Sequence, residues 1–269
     1  MPTLKMNSER ENLIKDISGI LREIENAENV IKYYWKVGVY AEKLIINILG
    51  EEGCKFPVDI EALAYNLGIE IEEENLNENS NINICNLNRK IGQLVIREDS
   101  YTKEKRVVIY VDKLAPPSSR RYAIANEIVH YLLHYQDTKF YENYFIMPLC
   151  PTKMEEIAAD IFSVFLLIPI RRFLVEFSGY VKYRVNSQKV PITTEEWLRY
   201  LSERSVLSDY YVAYGYQHLR AIGYWVYQAW NADEEQREAI KMTQEDKNEI
   251  IAWMTGYYDE EYEHWLFQD

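Results

Sequence analysis

The sequence predicts an α+β fold: a short, mostly antiparallel sheet packed on a helical core, with a further helical part at the C-terminal end. Three observations predict it. Apolar residues recur at helical spacing over most of the chain. Alternating, strand-like runs are confined to one window between residues 69 and 112. Hydrophobic residues make up 48% of the 269, enough for a sizeable core.

Residues 8–49 read as helix, with Leu13, Ile17, Ile20, Leu21, Ile24, Ala27 and Ile31 on one face. Gly38 is expected to break this stretch, with a second helix over 39–49. Asp59 is placed to cap a short helix that runs to Leu67 and stops at Gly68. Ile69 and Ile71 then alternate with Glu70 and Glu72 as a half-buried strand. The Asn- and Glu-rich run 74–83 reads as an exposed loop. Strands follow at 82–87, 91–97 and 106–112, with a hairpin turn from Ser100 to Glu104. Pro116-Pro117-Ser118-Ser119 leads into the central helix, a Ser acting as its cap. After a loop at 136–152 comes a second apolar helix over 153–168, ended by Pro169. A short helix at 170–178 and irregular chain at 180–192 follow. Residues 193–222 have the layout helix, short turn, helix, ending near Gly223. The final helix is expected at roughly 243–266.

Residues 120–135 carry the chemistry. One stripe of this helix bears Asn126, His130 and His134, each one turn after the last. Glu127 sits beside the first, and Arg120 and Arg121 stand at the start. The pattern is one residue away from His-Glu-x-x-His, in which two imidazoles at i and i+4 share a metal. The Glu beside the first His can then take a proton from metal-bound water. Here the first ligand position holds Asn126.

Charge and cysteine usage bound the rest. The formal charge of −13 repels phosphate, so non-specific binding to nucleic acid or to an anionic membrane is disfavoured. Cys54, Cys85 and Cys150 are odd in number and scattered, with no Cys-x-x-Cys, which fits a reduced, cytoplasmic setting. No signal pattern opens the chain, and the apolar run 161–170 is too short to span a bilayer.

The order of pieces "PVDIEALAYNLGIEIEE", a short sheet, "RRYAIANEIVHYLLH" and "EEIAADIFSVFLLIP" resembles the ImmA/IrrE metallo-endopeptidases, a zincin-like fold. The resemblance covers about residues 38–178. It extends to 223, since family members often carry a helix-turn-helix-like C-terminal part. It implies zinc-dependent cleavage of a transcriptional repressor in phage, mobile-element or stress circuits. It places the general base on Glu127 and the second His ligand on His130. The first ligand falls on Asn126. Counting back from Leu166-Leu167-Ile168-Pro169, the third ligand, usually Glu, falls on Ala158. Two of three ligand positions are thus altered. Asn offers only a neutral amide oxygen, poorly matched to Zn²⁺.

Each candidate has a plainer reading. Glu127 is either a surviving base or, as we prefer, a remnant carboxylate bonded to Asn126, His130 or an Arg. His130 and His134 share a metal or are satisfied boundary residues. Glu155 or Glu156 could swing in to replace Ala158, against a charged first turn favoured by the helix dipole. Cys150 is better read as a small buried thiol. The helix-turn-helix-like segment reads as a packing or partner surface, because Glu195, Glu196, Glu203 and Asp209 offset Arg199, Arg204 and Arg220.

The expected organisation is an N-terminal helical extension (1–37), the metallopeptidase-like domain (38–178), the helix-turn-helix-like segment (179–223) and an acidic, aromatic tail (224–269). The expected function is a divergent relative with no zinc or weak zinc that binds a repressor-like regulatory protein. The rivals are an active endopeptidase using Asn126, His130 and Glu155 or Glu156, and a DNA-binding regulator.

Overall fold

The computed structural model describes residues 8–27, 29–76, 91–98, 105–133, 153–182 and 193–255. Helix α1 (Ser8–Arg22) buries Ile14, Ile17 and Leu21, spaced to share one face. A 3-10 turn (Glu23–Asn26) leads to α2 (Val30–Leu49). The break therefore lies near Asn29 rather than at Gly38. Asn29 caps α2 by accepting from the N–H groups of Ile31 and Lys32, each at 3.1 Å. Its amide nitrogen also donates to the Ile240 carbonyl at 3.2 Å, tying this corner to the C-terminal part.

Gly38 stays helical because its missing side chain is used for packing. A Cβ there would collide with Ile170, 2.7 Å from its Cγ1. Gly38→Ala is expected to lower stability by about 1–3 kcal/mol through overpacking, against a helix-propensity gain of about 1 kcal/mol. Chemical denaturation of the variant checks the sign. An unchanged or raised midpoint would show that Ile170 moves aside freely.

Asp59 caps α3 (Ile60–Asn66) by accepting from Ala62 N–H at 2.9 Å, and Gly68 ends the turn at φ +79. The sheet is β1 (Ile69–Glu74), β2 (Gly92–Glu98) and β3 (Lys105–Asp112), in the order β1-β3-β2. β2 pairs antiparallel with β3, placing Leu94 opposite Ile109. β1 pairs parallel with β3, placing Ile71 opposite Ile109. The sheet is mixed rather than mostly antiparallel. As the central strand, β3 buries both faces, Val108 and Tyr110 on one and Ile109 and Val111 on the other.

Helix α4 (Pro117–Leu133) opens on Pro117, where the missing N–H costs nothing; Ser118 and Ser119 lie inside the helix rather than capping it. α5 (Lys153–Leu167) buries Phe162 and Phe165 completely, and Pro169 separates it from α6 (Ile170–Lys182). α4 packs on α5 and on the sheet, and α5 packs on α2. α7 (Thr194–Ser205) starts with a reciprocal Thr193–Glu196 cap. α8 (Asp209–Asn231) continues through Gly223 for two further turns. α9 (Glu234–Ala239) and α10 (Gln244–Thr255) complete the described chain. The expected boundaries at 37/38, 178/179 and 223/224 thus fall inside α2, α6 and α8.

Among the described residues no helix is long and apolar enough to cross a membrane. The expected strand at 82–87, the turn at 100–104, the loop at 136–152, His134, Cys85, Cys150 and the last residues of the final helix lie outside the described residues.

Candidate functional site

Two helices build the site. On α4, Asn126 and His130 share one face, as positions i and i+4 must. On α5, Glu156 and Asp160 do the same, and the two pairs face each other. Asn126 Nδ2 donates to Asp160 Oδ1 at 3.3 Å. His130 Nε2 lies 3.7 Å from Glu156 Oε1. His130 is buried, while the Glu156 side chain is 47% exposed, so the site opens to solvent on the Glu156 side.

Asp160 is held from a second direction. Tyr122, one turn before Asn126, donates its hydroxyl to the same Oδ1 at 2.7 Å. The Tyr122 ring stacks on Tyr211 of α8, with centroids 3.8 Å apart and planes 12° apart. Burial raises the pKa of Asp160, and the Tyr122 hydrogen bond opposes that rise. Burial also raises Glu156, helped by the charges of Asp160 and Glu155. Tyr122 is pushed far above the ordinary phenol range by burial and by the Asp160 carboxylate.

Glu127 points elsewhere. Its Oε2 accepts the Leu94 N–H at 2.9 Å, so it ties α4 to β2, an edge strand among the described residues. The expected partners were Asn126, His130 or an Arg; the strand backbone at Leu94 is a partner that the sequence did not suggest. Gly92 makes this approach possible, because a Cβ there would sit 3.2 Å from Glu127 Cγ. Arg121 leaves the site too. It donates to the Val58 carbonyl at 2.7 Å, and burial lowers its pKa against the opposing charges of Asp59 and Glu61. Ala158 is fully buried. Two residues from Glu156, it lies about 200° further round α5, so position 158 does not meet positions 126 and 130 as counting back from Pro169 suggested. Glu155 is near enough to act on Glu156 by charge. Sequence reading missed Tyr122, Asp160 and Tyr211 as site members. The i, i+4 pairing of Glu156 with Asp160 was the available signal for one of them.

Residues 68–201 match the model of a peptidase family described as the IrrE N-terminal-like domain. The chain belongs to the ImmA/IrrE family. No curated protein gives a significant match to it. The family's region runs from the first sheet strand to Leu201 of α7 and contains both site helices. Segments outside it nevertheless hold the motif helix. At its C-terminal end the Leu133 carbonyl accepts from Ser18 Oγ at 3.0 Å and from Arg22 at 2.9 Å, both on α1. The Arg22 cation there also complements the helix dipole. At the other end, α8 supplies Tyr211.

The family implies a catalytic zinc, and the described residues do not by themselves make up its ligand set. Such a site needs three protein ligands and leaves one position for water. Among the described residues here, His130, Glu156 and Asp160 are of the right type, and Asp160 Oδ1 is taken up by Tyr122 and Asn126. The Asn126 nitrogen is turned to Asp160, and an amide oxygen is a poor zinc donor. Among the described residues, no group of three or more His, Cys, Asp or Glu side chains could hold a metal.

Proposed function

We propose that this member of the family has lost ordinary zinc peptidase chemistry and acts as a pseudoenzyme that binds a regulatory, repressor-like protein. One observation carries the reading: the Asn126 to Asp160 hydrogen bond. In zinc sites a ligating His commonly donates its other ring N–H to a carboxylate. Asn keeps that donor and has no second ring nitrogen to offer a metal. The helix pair can therefore stay assembled without the chemistry. An open mouth beside Glu156 remains as a surface for a partner.

The test is elemental analysis of protein purified without chelator, together with a proteolysis assay on candidate repressors. The expected result is well under one zinc per chain after dialysis and no cleavage. Near-stoichiometric zinc that resists mild chelation reverses the reading. A second reading has its own observation, the 3.7 Å approach of His130 to Glu156. It is a metal-dependent endopeptidase using Asn126, His130 and Glu156, and the same two measurements separate it from the first.

A further inference from the structure

Helix α8 spans 23 residues. Its inner side buries Val212, Leu219, Ile222, Trp225 and Ala229. Tyr210, Ala213, Gln217, Arg220, Tyr224 and Tyr227 form an exposed stripe at steps of three and four residues. The three tyrosines are 74%, 52% and 59% exposed. Other outward helix faces here are charged, as on α7 with Glu195, Arg199 and Glu203. After Asp209, α8 holds no acidic residue, in a chain with 43 of them. A contiguous, acid-free, tyrosine-rich stripe whose one charged side chain is Arg220 has the composition of an interface rather than of a solvated face.

We propose that this stripe is the contact surface of an antiparallel homodimer, α8 of one copy lying against α8 of a second. A two-fold interface must match itself. Antiparallel pairing sets position 210 against 227, 213 against 224 and 217 against 220. Tyr210 then meets Tyr227 of the second copy at both ends, as an aromatic pair. The Tyr224 ring covers the small Ala213 side chain. The Gln217 amide oxygen can accept from the Arg220 guanidinium in the middle. Charge favours the same occupant. Two chains of net charge −13 repel, and an acid-free surface is where they can approach. One arginine on the stripe makes a poor phosphate-binding track, which argues against nucleic acid. The contact is about 26 Å long at 1.5 Å per residue. That is small for a stable interface, so the dimer is a weak, concentration-dependent one.

Sedimentation velocity of the full chain over about a hundredfold range of concentration tests this. The mass should rise from one copy of 32.0 kDa toward two. Tyr210→Glu and Tyr227→Glu, both at exposed positions, should each keep the circular dichroism of the parent and remain monomeric. Register is tested by mixing single variants Tyr210→Cys and Tyr227→Cys under mild oxidation. Crosslinking should appear in the mixture and exceed that of either variant alone. A monomer at every concentration overturns the proposal, whether the stripe is covered within one copy by residues 256–269 or serves another partner. So does a dimer indifferent to both Glu substitutions. Crosslinking of Tyr210→Cys with itself would overturn the antiparallel register.

Discussion

Arg171→Met is expected to cost about 3–5 kcal/mol of folding stability at neutral pH, the largest single loss the structure predicts. Arg171 and Glu42 form an ion pair inside the protein, Nε to Oε1 at 3.0 Å, with side chains 9% and 1% exposed. It ties α6 to α2 where Gly38 also meets Ile170. Removing the guanidinium leaves a carboxylate in the core with no counterion. Its second oxygen is already buried without a hydrogen-bond partner. The double variant Glu42→Gln, Arg171→Met removes both charges and should recover most of the loss. A buried pair as a whole is worth little net, while half of one is costly.

The pH dependence follows. Burial pushes Glu42 from 4.5 up to about 7, with Arg171 pulling the other way. The folded state therefore binds this proton more tightly than the unfolded chain. The neutral form's contribution is fully present below about pH 4.5 and is lost as pH rises through about 7. In Arg171→Met the opposing pull is gone, so the penalty should shrink as the buffer is taken from about pH 8 to about pH 5.5. Urea midpoints at the two pH values measure it. A penalty that is flat with pH would mean that the loss is one of packing and that Glu42 does not titrate in this range.

That pair was invisible in the sequence, and the reason is general. Local signals were readable: the Asp59 cap, the Gly68 stop, the two apolar helices around Asn126 and Glu156, and the strand 106–112 each depend on neighbours within a few residues. What needed distant partners was misread. Gly38 looked like a helix breaker because only its contact with Ile170, far along the chain, explains an interior glycine. The parallel pairing of β1 with β3 follows from how strands separated in sequence meet, which alternation does not encode. In the site, counting residues back from Pro169 assigned a position but not a helix face. The face decides that Glu156 and not position 158 looks at His130. Tyr211 lies outside the family's region altogether, so no motif pointed to its stack on Tyr122.

Asn126→His alone is expected to turn the site into a zinc site. The sequence suggested that two ligands would have to be restored, Asn126→His and Ala158→Glu. The structure makes the second change unnecessary and harmful, since a carboxylate at the buried Ala158 would have no partner there. In His, Nδ1 is bonded to Cγ as the amide nitrogen is in Asn, so its N–H can take over the bond to Asp160 Oδ1. Nε2 then extends toward the space that His130 and Glu156 already face. Two imidazoles, one carboxylate and a water complete an open tetrahedral set. Zinc should bind near one per chain, against little in the parent. At about a hundredfold excess over Kd the stabilisation is about 2.7 kcal/mol. For a chain of this size that is a rise in Tm of roughly 5–10 °C. Adding Glu156→Gln to the variant should abolish the gain, whereas Glu155→Gln should leave most of it. Cleavage of a repressor need not follow, because Glu127 is engaged with the Leu94 N–H. Elemental analysis and thermal melts with and without zinc measure the outcome. A folded Asn126→His protein with no zinc uptake and no zinc-dependent shift would show that positions 126, 130 and 156 do not converge on one point.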